Sequence, residues 1–313
     1  MSVSPIVSHA LVTGGAGFIG SHLARRLIAG GRRVTVLDNL SVGRREAVPD
    51  GARFVHGDLR DPHAVADALA GVDAVFHLAA QVTIRGSFER FYEDLDTNVM
   101  GTARLLQAVD PEVVKWFVLA SSMAVYADAD TARLIDEQHA TRPLSPYGIG
   151  KLAAEGVSRQ ILEGRGIPLT AVRFFNTFGP GQTYTPYVGV ITIFVTRLLR
   201  GEPVVVFGDG EQQRDFVHVD DIVSGTMAAP GREPGTYNLG TGRGTSLNAL
   251  ASMLTQKLAP QLTPQHAAAP SGELRYSIAD ISAARRALDY GPTRTLENDL
   301  DAVIDDIRTR RKS

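Results

Sequence analysis

The stretch that most constrains the fold is residues 9–38. His9-Ala10-Leu11-Val12-Thr13 reads as a short apolar strand, and it runs into Gly14-Gly15-Ala16-Gly17-Phe18-Ile19-Gly20. Gly15, Gly17 and Gly20 fit G-x-G-x-x-G, while Gly14, Gly17 and Gly20 fit G-x-x-G-x-x-G. An amphipathic helix is expected from Ser21 to about Ala29, then a second strand, Arg33-Val34-Thr35-Val36-Leu37-Asp38, ending in an acid. A tight turn, a close backbone approach to a pyrophosphate and close helix–strand packing each require a residue without Cβ. The helix start offers free N–H groups and a positive dipole end to phosphates. Asp38 falls near the spacing of a carboxylate that accepts adenosine ribose hydroxyls. An acid there favours NAD, because a 2′-phosphate would meet a negative charge. Arg44 and Arg45 weaken that preference slightly and read as solvated loop charges.

The alternation continues. Arg53 to Leu59 reads as a third strand, with Asp58 at its end placed to reach an adenine amino group. Ala74 to Ala80 reads as a fourth, ending in small residues where a cofactor lies against backbone, with His77 a packed strand-end histidine. Phe88 to Val109 is expected as one long helix, Trp116 to Ser122 as a fifth strand and Leu169 to Asn176 as a sixth. Near-continuous apolar strands separated by helices indicate a parallel sheet covered on both faces. Ligands of such sheets bind beyond the carboxyl ends of the strands, where Ser122, Asn176 and the glycine loop fall.

Length and composition agree with that class. A chain of 313 residues suits one large domain or two joined ones, and 44% hydrophobic with 21% charged residues reads as soluble and globular. The net charge of −2 argues against nucleic acid as a partner. With no cysteine, thiolate chemistry and disulfides are excluded. No signal pattern and no bilayer-spanning run is present, so no membrane partner is expected and a cytoplasmic location is the default.

A second feature carries chemistry. In Ser145-Pro146-Tyr147-Gly148-Ile149-Gly150-Lys151, a Tyr and a Lys four apart share one helix face. An ammonium near a phenol favours phenolate and draws its pKa down from about 10. That makes Tyr147 a general base or acid and Lys151 its tuner. Pro146 suits the first helical turn, and Ser145 caps it.

These pieces together resemble the extended short-chain dehydrogenase/reductase family, in its nucleotide-sugar epimerase and dehydratase branch. The resemblance rests on Thr13 to Gly20, Asp38-Asn39, Gly57 to Asp61, His77 to Gln81, Ser121-Ser122 with Val125-Tyr126, and Tyr147 with Lys151. It continues through Arg173 to Asn176, Gly179-Pro180-Gly181, Gly208 to Gln212 and Arg214 to Asp221, in the expected order from residue 10 to about residue 280. It implies an NAD-dependent enzyme acting on a UDP-sugar through a transient 4-keto intermediate. Cofactor contacts are implied at Gly14, Gly17, Phe18, Ile19 and Gly20, at Asp38, Asn39, Asp58 and Leu59, and at Ala79, Ala80, Gln81 and Asn98, with Tyr147 and Lys151. Tyr147 would take a proton from a sugar hydroxyl as NAD takes hydride from the same carbon. Ser122, with Ser121 as the alternative, would stabilise the oxygen. Arg214 would pair with the diphosphate, and Asn176 would donate to a diphosphate or sugar oxygen. No metal is implied.

The residue after the catalytic Ser separates the branches. The family's 4,6-dehydratases place an acid there, and its decarboxylases tend to as well; this chain has Met123-Ala124. That favours a UDP-hexose 4-epimerase. Ala127-Asp128 after Tyr126, where Gly is typical, marks a changed loop, and a UDP-GlcNAc dehydratase working by 4,6- or 5,6-elimination stays open as an alternative. Ser277 occupies a position where a bulky residue restricts epimerases to plain hexoses, so its small size implies acceptance of UDP-GlcNAc. Arg85 matches an arginine of UDP-glucuronate 4-epimerases and reads equally as a surface arginine. Rivals of other classes are a non-catalytic NAD(H) sensor, which would lose the Tyr/Lys pair, and a simple reductase, against which the Arg214 segment argues.

The expected architecture is α/β: a Rossmann-type doubly wound parallel sheet with a smaller C-terminal α/β substrate domain. The first covers 1–176 and is revisited by about 212–246; the second takes 177–211 and 247–313 and ends in a helix near Leu296 to Arg310. The helices near Phe88–Val109 and Ser145–Leu162 would form a homodimer's four-helix bundle, or pack inside one subunit.

Overall fold

The computed structural model describes residues 7–129, 131–184, 189–269 and 274–311. β1 (His9–Thr13) sits inside a seven-stranded sheet. β2 (Arg33–Asp38) and β3 (Arg53–His56) extend it on one side; β4 (Ala74–His77), β5 (Trp116–Ser122), β6 (Leu169–Phe174) and a last strand, Gly235–Leu239, extend it on the other. Every pair in this sheet is parallel. Strand order reverses at β1, so the connections leaving β1 and β4 diverge and open a crevice.

Side chains alternate across the sheet. Leu11, Leu37, Val75, Phe117 and Leu119 enter one core cluster, with Val65 and Ala68 of α2 (Pro62–Leu69). Ala10, Val12, Val36, Phe76, Val118 and Ala120 enter the other, with Leu23, Ala24 and Leu27 of α1 (Phe18–Ala29). Both faces are buried, which is why the strands read as unbroken apolar runs.

A separate core, with Phe178, Phe194, Leu250, Leu254, Leu300 and Ile304, belongs to a smaller α/β body. Its helices are Val190–Leu198, Leu247–Leu258 and Leu296–Arg310. Its strands are short: Asn176–Phe178 pairs with Phe216–His218, Val205–Phe207 with Gln265–Ala267, and Gln213–Arg214 lies between Thr245–Ser246 and Tyr276–Ser277. The fold is Rossmann-like α/β, and no described helix is long and apolar enough to cross a membrane.

Several elements differ from the sequence expectations. The third strand stops at His56, where its partner β2 ends at Asp38. The fourth stops at His77, because Leu78 and Ala79 turn their N–H groups onto the Thr13 hydroxyl. The sixth ends at Phe174: Phe175 N–H donates to Leu239 O, Asn176 N–H to Asp215 O, and the chain leaves the main sheet. The single helix expected over Phe88–Val109 is α3 (Ile84–Glu89), α4 (Phe91–Leu95), a π-helical segment (Asp96–Gly101) and α5 (Thr102–Ala108). Such π segments widen a helix locally and occur at functional sites. The helix α6 (Pro146–Gly164) is capped as expected, Gly148 N–H donating to Ser145 Oγ at 3.1 Å.

The glycine turn depends on two missing side chains. Gly14 has φ +69°, and a Cβ there would stand 2.8 Å from Ala79 Cα. A Cβ on Gly20 would stand 2.1 Å from Gly14 O. Gly20→Ala should therefore destabilise the chain by about 1–3 kcal/mol, because rigid backbone must move. A lower urea midpoint at unchanged slope is the expected result; an unchanged midpoint would show that the turn tolerates the methyl group.

Candidate functional site

A cleft of about 760 Å³ runs over the carboxyl ends of the strands. At one end lie Gly14, Gly17, Phe18, Ile19 and Gly20, with Asp38, Asn39, Asp58 and Leu59 from the tips of β2 and β3. In the middle lie Ala79, Ala80 and Gln81, then Ser121, Ser122, Met123, Tyr147 and Lys151. The far wall carries Asn176, Phe207, Arg214 and Phe216.

The first end fits an adenine dinucleotide. Gly17 is the N-cap of α1 and brings no side chain to it, so the helix start opens on the cleft at Phe18 and Ile19. The Asp38 carboxylate accepts Ala16 N–H at 3.0 Å and Leu40 N–H at 2.8 Å, which holds it at the mouth of the glycine turn. Asp58 is more engaged than a free adenine contact would be. Arg60 grips it through Nε and Nη2, each at 2.8 Å, and Asn39 Nδ2 donates to it at 2.7 Å. Those bonds, led by Arg60, hold its carboxyl well below the usual carboxylate range. Of the two neighbouring arginines, Arg45 lies over the Phe54 ring at 4.7 Å.

Asn98 does not line the cleft. Its Oδ1 accepts Gln81 N–H at 2.8 Å, and its Nδ2 donates to Gln81 O at 3.1 Å and to Asp94 Oδ1 at 3.1 Å. From the π segment it clamps the backbone of a residue that does line the cleft. His77 is buried as expected, between Thr13 Oγ1 at 2.7 Å and Thr102 Oγ1 at 2.9 Å.

In the middle, Ser122 and Tyr147 come together. Ala124 N–H donates to Ser122 Oγ at 3.2 Å, capping the short turn Met123–Val125. Burial pushes the Tyr147 phenol up to about 12, against a hydrogen bond from Ser122, and the Asp94 carboxylate adds to the rise. Burial also brings the Lys151 ammonium down to about 8, against Asp94 and Glu155, and its Nζ donates to Ala120 O at 2.9 Å. Desolvation thus opposes the lowering expected from Lys151.

Three of the residues singled out for the substrate side line the cleft, and one does not. Arg214 lines the cleft, and its Nη1 donates to Gln213 O at 2.9 Å. Asp215 is turned away from it, accepting Thr241 N–H, Gly242 N–H and Ala279 N–H. Asn176 lines the cleft and its Oδ1 is buried with no hydrogen-bond partner. Arg85 also lines the cleft, its guanidinium 4.4 Å from the centre of the Phe207 ring. Ser277 does not line it. Ser277 pairs with Arg214 in the parallel strand behind, is 0% exposed, and has a hydroxyl without a hydrogen-bond partner.

Sequence reasoning missed Phe207 and Met123 as cleft residues. Phe207 directly precedes Gly208-Asp209-Gly210, and that adjacency was its only signal. Met123 was visible only as the absence of an acid. No group of side chains suited to a metal occurs among the described residues.

The profile of the NAD dependent epimerase/dehydratase family matches residues 10–240. Among solved structures, the UDP-glucose 4-epimerase of Thermotoga maritima with UDP-glucose superimposes with a TM-score of 0.92 at 35% identity, covering 97% of this chain and 99% of that one. The UDP-N-acetylglucosamine 4-epimerase of Methanobrevibacter ruminantium M1, in complex with UDP-N-acetylmuramic acid, gives 0.90 at 30% identity over 97% and 99%. MoeE5 in complex with UDP-glucuronic acid and NAD gives 0.87 at 37% identity over 98% and 100%.

Asp38 at the tip of β2 should set the nucleotide preference. NAD is expected to bind at least about tenfold more tightly than NADP by calorimetry, a difference of about 1.4 kcal/mol. Equal affinities would remove Asp38 from that role.

Proposed function

Because the chain belongs to the NAD-dependent epimerase/dehydratase family, we propose that it is a UDP-hexose 4-epimerase, with Tyr147, Lys151 and Ser122 as its catalytic residues. The observation that carries this reading is the distribution of acids. Among the described residues, the carboxylates lining the cleft are Asp38 and Asp58, both at the dinucleotide end. Elimination from a 4-keto sugar needs an acid to protonate the departing hydroxyl and a base at C5. Met123 and Ala124 offer neither, whereas epimerisation asks only for proton transfer at one oxygen and a sugar free to turn.

NAD is the family's cofactor, and when bound it supplies the hydride acceptor and donor for the sugar carbon. The chain's own residues move the proton. Tyr147 takes it from the C4 hydroxyl and later returns it. Ser122 donates to the same oxygen, where charge develops. Lys151, one turn along α6, is the cation the chain supplies to that buried site. Arg214 and Asn176, on the far wall, would hold the diphosphate, Asn176 donating through Nδ2; its orphaned Oδ1 needs a donor, which a sugar hydroxyl or water can bring and a diphosphate cannot.

The sealed position of Ser277 withdraws the argument for an N-acetyl preference. A second reading, a UDP-glucuronate 4-epimerase, is favoured by Arg85, which stands on the cleft wall with its guanidinium resting on Phe207. We also propose a homodimer. Phe88, Phe91, Tyr92 and Met100 on the α3–α5 stretch, and Ile149 and Ile161 on α6, leave large apolar side chains exposed, Tyr92 at 72%.

Incubating the protein with UDP-glucose, UDP-GlcNAc and UDP-glucuronate, with NMR of the products, should give a C4 epimer. An exocyclic alkene would overturn the epimerase reading, and a turnover loss in Arg85→Ala confined to UDP-glucuronate would select the uronate. Tyr147→Phe should lower turnover by roughly a hundredfold or more with NAD affinity intact; near-normal turnover would remove Tyr147 from the mechanism. Tyr92→Glu should yield a monomer by sedimentation, and an unchanged sedimentation coefficient would place any self-association elsewhere.

A further inference from the structure

Tyr126 and Arg173 belong to the motif blocks of this chain, yet neither has a task in the reaction above. The structure joins them to Glu155, on α6 one turn beyond Lys151. The Glu155 carboxylate accepts Arg173 Nε at 3.0 Å and Arg173 Nη2 at 2.8 Å, and the Ser121 hydroxyl donates to its Oε1. Both side chains are withdrawn from water, at 6% exposure for Arg173 and 4% for Glu155. The Arg173 guanidinium lies 4.7 Å from the centre of the Tyr126 ring. Tyr126 OH donates to Asn238 Oδ1 at 2.7 Å, and Asn238 Nδ2 donates to Ile135 O at 2.9 Å. The network thus spans β5, β6, α6 and the strand Gly235–Leu239.

We propose that the Glu155–Arg173 pair, braced by Tyr126, is the positioning unit of the active site, fixing the end of β5 from which Ser122 projects and holding a negative charge one turn from the Lys151 ammonium. The proposal rests on the catalytic roles given above to Ser122 and Lys151. A buried ion pair contributes little net stability over a well-packed apolar pair, so stability alone is a poor reason for this one. Its place is a better reason. Ser121 is bonded to Glu155, and Ser121 is the residue before Ser122. The charged and titratable groups felt at Lys151 are Asp94 from α4, His77 from β4 and Glu155 from its own helix. Burial keeps His77 neutral, at about 3, so the carboxylates Asp94 and Glu155 are what oppose the desolvation of Lys151.

The test is the double variant Glu155→Met/Arg173→Leu, which leaves no unpaired charge, with Glu155→Gln as a second variant that keeps a polar partner for Ser121. The chain has four lysines, Lys115, Lys151, Lys257 and Lys312, so the Lys151 ammonium can be followed through its titration by NMR of isotope-labelled lysine, with Lys151→Arg for assignment. In Glu155→Gln the Lys151 midpoint should fall by ~0.5–1 unit, because an opposing negative charge is gone while Arg173 stays; in the double variant, which removes one charge of each sign, it should move less. The kcat should drop ~tenfold with KM within about twofold, the signature of a displaced reacting group rather than of weaker substrate binding. An unmoved Lys151 midpoint in Glu155→Gln, or unchanged kcat in the folded double variant, would overturn the proposal. If the wild-type chain turns over none of the three UDP-sugars, the epimerase reading fails by itself, and the titration alone decides the charge placement.

Discussion

The crevice depends on one hydroxyl. Thr13, the last residue of β1, accepts the N–H groups of Leu78 at 3.2 Å and Ala79 at 3.1 Å, and bonds His77 Nδ1 at 2.7 Å. Thr102 Oγ1 donates to Asn98 O at 2.7 Å, so it accepts from His77 Nε2 at 2.9 Å. That fixes the neutral tautomer: His77 carries its proton on Nε2, and Nδ1 accepts from Thr13. Burial, which brings His77 down to about 3, keeps it so. A charged imidazole would need to donate from both nitrogens and would break the chain of bonds. With every group satisfied, the tip of β4 is pinned against Gly14, and the diverging loops leave room for a dinucleotide.

The π segment that ends this chain of bonds serves the cleft through Asn98, which clamps both backbone groups of Gln81. Asp94, one helical turn earlier in α4, adds a carboxylate beside Tyr147 and Lys151. A regular helix over this stretch would present its side chains at other angles. The interrupted helix is therefore a working part of the site.

Electrostatics in the middle of the cleft are governed by desolvation. Tyr147 and Lys151 are both buried, and each is pushed toward its neutral form. The smaller body closes the other side, where Arg85 of the larger lobe rests on Phe207 of the smaller one.

The amino-acid sequence by itself determined the first βαβ unit, because glycines without Cβ, a helix start and an acid at a strand end are local requirements. It determined the caps at Ser145 and the last helix, Leu296–Arg310, for the same reason. It determined which chemistry was available, since Tyr147 and Lys151 share a helix face by spacing alone. Tertiary structure decided the rest. The strands that begin at Arg53, Ala74 and Leu169 end where neighbouring segments stop pairing with them or capture their N–H groups, and those neighbours are not written in the strand itself. Asp58 was legible as an acid at a strand tip, but its hold on Arg60 and Asn39 was not. Ser277 was legible as small, but its burial behind Arg214 is a matter of which strand packs on which. The sign of the Tyr147 shift also lay beyond sequence, because the spacing of two residues gives their mutual charge effect while desolvation is set by every neighbour that the fold brings around them.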